Sequence, residues 1–210
     1  MDGIAIVIPL TKKLHQDGAP VRPKPDTTTY FTHTWYVNGG EKVRCGANSF
    51  QGTSKTKLNQ WTKRTTVDTD NRPGDCHQSF GIIDPANRLD GLNLSINFKA
   101  TDKKGEQQCR NTGKCRIPIV SDESFLYPSE HIISADDGPG GCELEFSIKG
   151  RSDVVLDIEF FATNTDTDRE KNQCGNRGTH KVALNKPVTI LYDTDGRRGG
   201  CAQRFRLRKL

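Results

Sequence analysis

One phrase occurs three times in this chain, and it limits the possible folds more than any other feature. The copies run from Asp68 to Ile82, from Ser134 to Ile148 and from Asp193 to Leu207. Aligned without gaps, they share Asp70, Asp136 and Asp195, then Gly74, Gly140 and Gly199, then Cys76, Cys142 and Cys201. Phe80, Phe146 and Phe205 follow, and Ile82, Ile148 and Leu207 close the match. Such a fixed pattern in triplicate marks an internal repeat. Asp, Asn, Gly and Pro crowd the first half of each copy and spell a turn. Cys, Phe and Ile fall at even offsets, so a strand would place all of them on one face. Each copy therefore predicts a polar, acidic turn feeding a strand that begins at a buried cysteine.

The surrounding sequence divides around these phrases. Unit one is expected over 27–83, unit two over 91–148 and unit three over 154–207, all within a single all-β domain spanning 1–210. Phe31–Val37, Leu92–Lys99 and Leu156–Thr163 read as entry strands. Alternation is cleanest in the second, where Leu92, Leu94, Ile96 and Phe98 interleave with polar residues. Ile117–Val120 and Phe125–Tyr127 read as middle strands of unit two, and Lys181–Leu184 with Val188–Tyr192 as a hairpin. Residues 46–64 read as a polar stretch. Residues 1–26 are expected to hold an N-terminal strand, Ile4–Leu10, and a Pro-rich extension; the apolar run is too short for a secretory signal. About four strands per unit, three times over, gives a pseudo-threefold architecture of β-trefoil-like or β-prism-like form. Gly 20, Pro 10 and only 32% hydrophobic residues suit short strands and many turns.

Cysteine spacing follows the repeat. Each unit has one cysteine after its entry strand and one in its phrase, which pairs Cys45 with Cys76, Cys109 with Cys142 and Cys174 with Cys201. The separations of 31, 33 and 27 residues are similar enough to favour in-unit disulfides. Cys115 has no counterpart: it is a free thiol, an intermolecular bridge, or a competitor of Cys109 for Cys142. No Cys-x-x-Cys pair supports zinc. A disulfide framework implies an oxidising compartment, so a secreted, extracellular protein is expected. Asn93-Leu-Ser95 is compatible with that. No apolar run reaches the length of a membrane helix.

The acidic turns are the first candidates for chemistry. Asp68, Asp70, Asp136, Asp137, Asp193 and Asp195 are the oxygen donors a hard cation such as Ca²⁺ would use. Asp-Thr-Asp-Asn and Asp-Thr-Asp-Gly resemble the opening of an EF-hand loop but lack its bidentate Glu. The competing reading makes them Asx-turns. As a sugar site, Asp70, Arg72, Asp136, Asp195 and Arg197 would bond hydroxyls, with Trp61 as the apolar platform. Trp35, Tyr127 and Tyr192 are further aromatic candidates, each equally suited to the core. The basic C-terminus, Arg197, Arg198, Arg204, Arg206, Arg208 and Lys209, together with Lys55, Lys57, Lys63 and Arg64, could form a cationic face. Arg204, Arg206 and Arg208 alternate with Phe205 and Leu207, so they also fit the outward side of a last strand. Nucleic acid conflicts with the disulfide-rich reading.

No catalytic motif occurs, and the five histidines do not recur at matching positions. The expected function is non-catalytic, lectin-like binding of a glycan or polysaccharide at repeated turns, with Ca²⁺ as a candidate cofactor. The alternatives are a protease inhibitor, toxin or effector acting on a protein through loop 46–66 or 110–133, and a polysaccharide-degrading enzyme.

Overall fold

The computed structural model describes residues 26–38, 45, 51–68, 74–101, 109–126, 129–134, 140–163, 174–193 and 200–210. These residues form three sheets and no α-helix. The first sheet runs β2 (Gln51–Lys57), β1 (Tyr30–Asn38), β4 (Asp75–Ile83), β9 (Ser129–Ser134) and β6 (Cys109–Arg110), with β8 (Ile119–Val120) pairing β4 in parallel. The second runs β12 (Cys174–Gly175), β14 (Val188–Asp193), β10 (Gly141–Lys149), β5 (Asn93–Ala100) and β7 (Gly113–Arg116). The third runs β13 (Gly178–Val182), β11 (Val154–Ala162), β15 (Gly200–Lys209) and β3 (Thr65–Asp68).

Each phrase strand sits inside a sheet, flanked by its own entry strand and by a strand from another unit. β4 lies between β1 and β9, β10 between β5 and β14, and β15 between β11 and β3. Thus β9 leaves unit two to pair with unit one, β14 leaves unit three for unit two, and β3 leaves unit one for unit three. Nothing in the strand pattern signals this exchange, because strand period does not name the partner.

The cysteines fall on equivalent registers. Ile133 lies between Cys76 and Cys109, Tyr192 between Cys142 and Cys174, and Val67 between Cys201 and Cys45. The disulfides are Cys45–Cys76, Cys109–Cys142 and Cys174–Cys201. Each joins two different sheets, so together they link the three sheets into a ring. Cys115 keeps a thiol that takes no part in them.

The even offsets of the phrase become core layers. Cys76, Cys142 and Cys201 are buried, as are Ile82, Ile148 and Leu207. Between them Phe80, Phe146 and Phe205, one from each sheet, meet with ring centroids 5.1–5.7 Å apart. Edge-on and tilted aromatic contacts of this kind add to the area that the rings bury. Phe205→Ala is expected to lower unfolding free energy by about 4 kcal/mol, the usual cost of truncating a buried aromatic. Urea denaturation at unchanged m-value is the check; a loss under ~1 kcal/mol contradicts the packing.

One layer is polar. Gln78 and Gln203 occupy the position that Leu144 fills in unit two, and all three are buried. Tyr192 Oη donates to Gln203 Oε1, and Gln203 Nε2 donates to Gln78 Oε1. His33 lies 3.1 Å from the same oxygen through Nε2. An amide oxygen only accepts, so Nε2 carries the proton. His33 also stacks on Phe80 at 4.6 Å.

Several expectations need correction. Lys181–Leu184 and Val188–Tyr192 do not form a hairpin: β13 joins the third sheet and β14 the second, with a tight turn at Ala183–Lys186 between them. The polar stretch contains a strand, β2, along the edge of the first sheet, where exposed polar residues are tolerated. Phe125 lies in a 3-10 turn, Glu123–Phe125, and not in a strand. Ile4–Leu10 and the Pro-rich extension through residue 25 lie outside the described residues. No helix among the described residues is long and apolar enough to cross a membrane.

Candidate ligand-binding site

Most of the sequence-predicted site lies outside the described residues. Asp70, Arg72, Asp136, Asp137, Asp195 and Arg197 are all there, so calcium ligation at those turns rests on sequence. For Asp68 and Asp193 the backbone is placed. Asp68 ends β3 opposite Gly200, and Asp193 ends β14 opposite Gly141. β3, β9 and β14 thus end in one sheet, and the phrase strands that follow them lie in the next.

Of the six residues expected to bind a sugar, Trp61 is the one whose side chain the structure describes. It belongs to the link between β2 and β3. This link is fastened to the free edge of β15: Asn59 N–H donates to Leu207 O (2.8 Å) and Thr62 N–H to Phe205 O (2.7 Å). Thr62 Oγ1 accepts from Phe205 N–H at 2.9 Å, and Ser54 Oγ accepts from Lys63 N–H at 2.9 Å. Asn59 takes the left-handed conformation (φ 68°) that lets the chain turn here. These bonds hold Trp61 at the level of Phe205. Gly200, opposite Asp68, is five residues back along β15, about 16 Å at 3.3 Å per residue. Among the described residues, Trp61 therefore groups with β15, while Asp70 and Arg72 lie outside them.

The half-buried Trp61 ring meets two guanidinium groups. Arg204 Cζ lies 4.7 Å from the ring centroid and Arg206 Cζ 4.5 Å. Such cation–π contacts contribute about 0.5–1 kcal/mol each at exposed sites. The same arginines face carboxylates on β11. Arg204 Nε bonds Glu159. Arg206 Nε donates to Asp157 Oδ2 at 2.9 Å, while Arg208 donates to both Asp157 oxygens, at 2.6 and 3.1 Å. Asp157 is only 4% exposed. Burial pushes its carboxyl up, but the bonds from Arg208 and Arg206 outweigh that and hold it below the usual carboxylate range. The alternation of Arg204, Arg206 and Arg208 with Phe205 and Leu207 thus marks the outward face of a strand, and that face is laced with charge. Arg64, 4.2 Å over Phe161, continues it.

The other aromatic candidates divide differently. Trp35 and Tyr192 are core residues. Burial raises the Tyr192 hydroxyl far above its ordinary pKa. Tyr127 lies outside the described residues.

Sequence reasoning missed the histidines. His33, His77 and His131 occupy the adjacent strands β1, β4 and β9, and all are buried. His131 Nε2 lies 3.3 Å from Cys115 Sγ, and His77 Nδ1 3.1 Å from Glu130. Tyr36 stacks on His77 at 4.3 Å and donates to Glu130; that bond to a carboxylate, with burial, pushes its pKa up to about 12. Burial lowers His33 and His131 to about 4. His33 and Trp35 alternate inward with Phe31, a signal present in Phe31-Thr-His33-Thr-Trp35, whereas the placement of His77 and His131 depends on pairing across units. Among the described residues, no three His, Cys, Asp or Glu side chains converge on a point that would hold a metal.

The described residues thus define an all-β, disulfide-linked protein of three sheets, with an aromatic, arginine and carboxylate surface on the third. Comparison with family models, with curated proteins and with solved structures returns no match.

Proposed function

We propose that this is a secreted, non-catalytic carbohydrate-binding protein. Its three units would be arranged about a pseudo-threefold axis in a prism-like form. Meeting of the three phrase phenylalanines, one per sheet, supports that symmetry. A prism suits it better than a trefoil because each phrase strand gives one residue to every successive core layer, so the strands follow the axis.

The observation that carries the binding role is Trp61 over Arg204 and Arg206, beside Glu159 and Asp157. A sugar ring offers an apolar face and a rim of hydroxyls that both donate and accept. The indole suits the first and the guanidinium–carboxylate pairs suit the second. The Asp-rich turns, with Asp70, Arg72, Asp136, Asp195 and Arg197, remain proposed as repeated weak sites, with Ca²⁺ on Asp68, Asp70, Asp136, Asp137, Asp193 and Asp195. Several weak sites on one rigid body gain strength through effective concentration.

The test is a glycan and polysaccharide array read with calcium and with EDTA, for the parent chain and for Trp61→Ala. The variant is expected to bind at least tenfold more weakly while its melting temperature falls by no more than about 8 °C, since about 1–2 kcal/mol of ring contacts is lost. Loss of binding in EDTA assigns a part to the Asp turns. Unchanged binding by Trp61→Ala removes this surface from the reading, and an empty array removes the carbohydrate reading.

One observation favours a second reading, a protein target. Phe125 is 63% exposed within the 110–133 segment, on a turn where Glu123 pairs with Lys55 at 2.6 Å. Phe125→Ala would then abolish capture of that target and leave glycan binding intact.

A further inference from the structure

Beside Trp61 the surface opens into a pocket of about 520 Å³ at the end of β15. Lys57, Arg88 and Lys209 line it, with Thr28, Asn59 and Leu58 among their neighbours. The lining side chains carry three positive charges and no negative one. Three carboxylates border it, each hydrogen-bonded within the frame, and Asp26 feels the charge of Lys57 as Asp153 feels that of Lys209. Asp26 accepts from Thr28 N–H (2.8 Å) and Tyr30 Oη (2.9 Å), and Asp84 from Thr29 Oγ1 and Leu89 N–H, both at 2.7 Å. Asp153 pairs with Arg151 Nε at 2.7 Å.

The cations are presented by a braced frame. Arg88 sits in the turn after β4, where Asn87 is left-handed (φ 52°). Arg151 clamps that turn by donating to Arg88 O (3.1 Å) and Asp90 O (2.9 Å). Lys209 Nζ reaches Arg88 O at 3.4 Å, which brings its charge to the same spot. Lys57 ends β2, and the Gln60 N–H bond to Lys57 O (3.2 Å) closes the turn that leads into Trp61. Segment 58–61 therefore joins the pocket to the indole, and β15 runs from Arg204 under Trp61 to Lys209 at the pocket.

We infer that the pocket receives the anionic group, carboxylate or sulfate, of an acidic polysaccharide whose neighbouring ring rests on Trp61. This rests on the carbohydrate reading and narrows it to charged chains. Arg88 supplies a planar fork matched to the paired oxygens of either group, and the two lysines add charge from the sides. Binding that depends on three exposed cations weakens as salt screens them.

Two measurements separate the pocket from the reading beneath it. Free glucuronate and inorganic sulfate are titrated into ¹⁵N-labelled protein, with the Asn59 amide and Arg88 Nε followed by NMR. Both signals are expected to shift in the parent, and the Asn59 shift to weaken at least tenfold in Arg88→Gln/Lys209→Gln. Both targeted side chains are exposed, so the fold should persist, and the melting temperature confirms it. Absent shifts, or an Asn59 shift indifferent to the substitutions, overturn the pocket. Retention is then compared on polygalacturonate, dextran sulfate and neutral dextran. Retention on one or both acidic matrices, lost at least tenfold in the double variant and in Trp61→Ala, supports the inference, and the better matrix names the group. Retention on an acidic matrix that survives the double variant overturns it. Binding of neutral glycans alone, abolished by Trp61→Ala, overturns the acidic inference and leaves the carbohydrate reading standing. If the free anions shift Asn59 but no matrix or array glycan is held, the polysaccharide and the carbohydrate reading fall together.

Discussion

Reduction of the three disulfides is expected to unfold this protein at 25 °C. The bridges span 31, 33 and 27 residues. On the loop-entropy model each stabilises the fold by about 3.5 kcal/mol, so all three contribute about 10. A domain's whole net stability is about 5–15 kcal/mol. The chain is also poor in apolar residues, at 32%, so its core is small for its length. Position adds to the effect. Each bridge joins two sheets, and the contacts between sheets lie in a narrow axial core, so the bridges act where separation would begin. Melting with and without a phosphine reductant should differ by more than 20 °C, given about 2–4 °C per kcal/mol at this size. Cys109→Ser with Cys142→Ser should lower the melting temperature by roughly 7–14 °C on the same scale. Thiol titration in denaturant fixes the count: one reactive group, Cys115, before reduction and seven after. A reduced protein that melts within 5 °C of the oxidised one contradicts this account.

Acidification is the second large effect, and its window is set by histidine. Burial lowers His33 and His131 from 6.5 to about 4. For His33 the bond to Gln78 opposes the shift, and for His131 the charge of Glu130 does, but burial prevails in both. The unfolded chain takes up both protons near pH 6.5, while the folded chain resists until about 4. Falling pH through that interval therefore favours unfolding. Stability is full above about pH 6.5, declines toward pH 4, and loses nothing further from these two groups below that. Each shift corresponds to about 3 kcal/mol, so the pair gives roughly 6 kcal/mol and a drop of about 10–20 °C in melting temperature. Asp157 and Asp153 titrate below their ordinary 3.8, so their loss begins where the histidine effect ends. His33→Gln and His131→Gln each remove one titrating group. Each should about halve the slope of melting temperature against pH between 4 and 6.5, whatever it does to the melting temperature at pH 7. A parent profile flat over that range contradicts the burial of both rings.

The two sensitivities have one structural source. Three sheets facing a common core leave little room, and the first sheet fills part of its share with His33, Trp35, Gln78 and His131. His33 Nδ1, Trp35 Nε1, Gln78 Nε2 and His131 Nδ1 have no protein partner. Buried polar groups without partners cost about 1–3 kcal/mol each. The second sheet places Phe98, Leu144 and Ile190 at the registers of Trp35, Gln78 and His131, which makes it the drier of the two.

The sequence by itself determined what depends on local period and on repetition. Phrase strands and entry strands appear where alternation put them, because side-chain direction in a strand alternates whatever the strand pairs with. The cysteine pairs follow the repeat for a similar reason: of the connectivities that treat the copies alike, in-unit pairing has the short, similar spans of 31, 33 and 27 residues. Arg204, Arg206 and Arg208 were legible as an outward face. Tertiary structure alone decided which strand lies beside which. β3, β9 and β14 have the same kind of pattern as strands that stay at home, and nothing local in them says that they cross to another sheet. β2 escaped notice because an edge strand with one wet face needs few apolar residues. Trp61 was identified as a ligand residue, but its partners lie some 140 positions away on β15. That grouping arises only because Thr62 and Asn59 fasten their segment to a free strand edge. Pairing is a long-range choice among backbones that look alike, and it is settled by which closure buries the most apolar surface while leaving the fewest backbone groups unpaired.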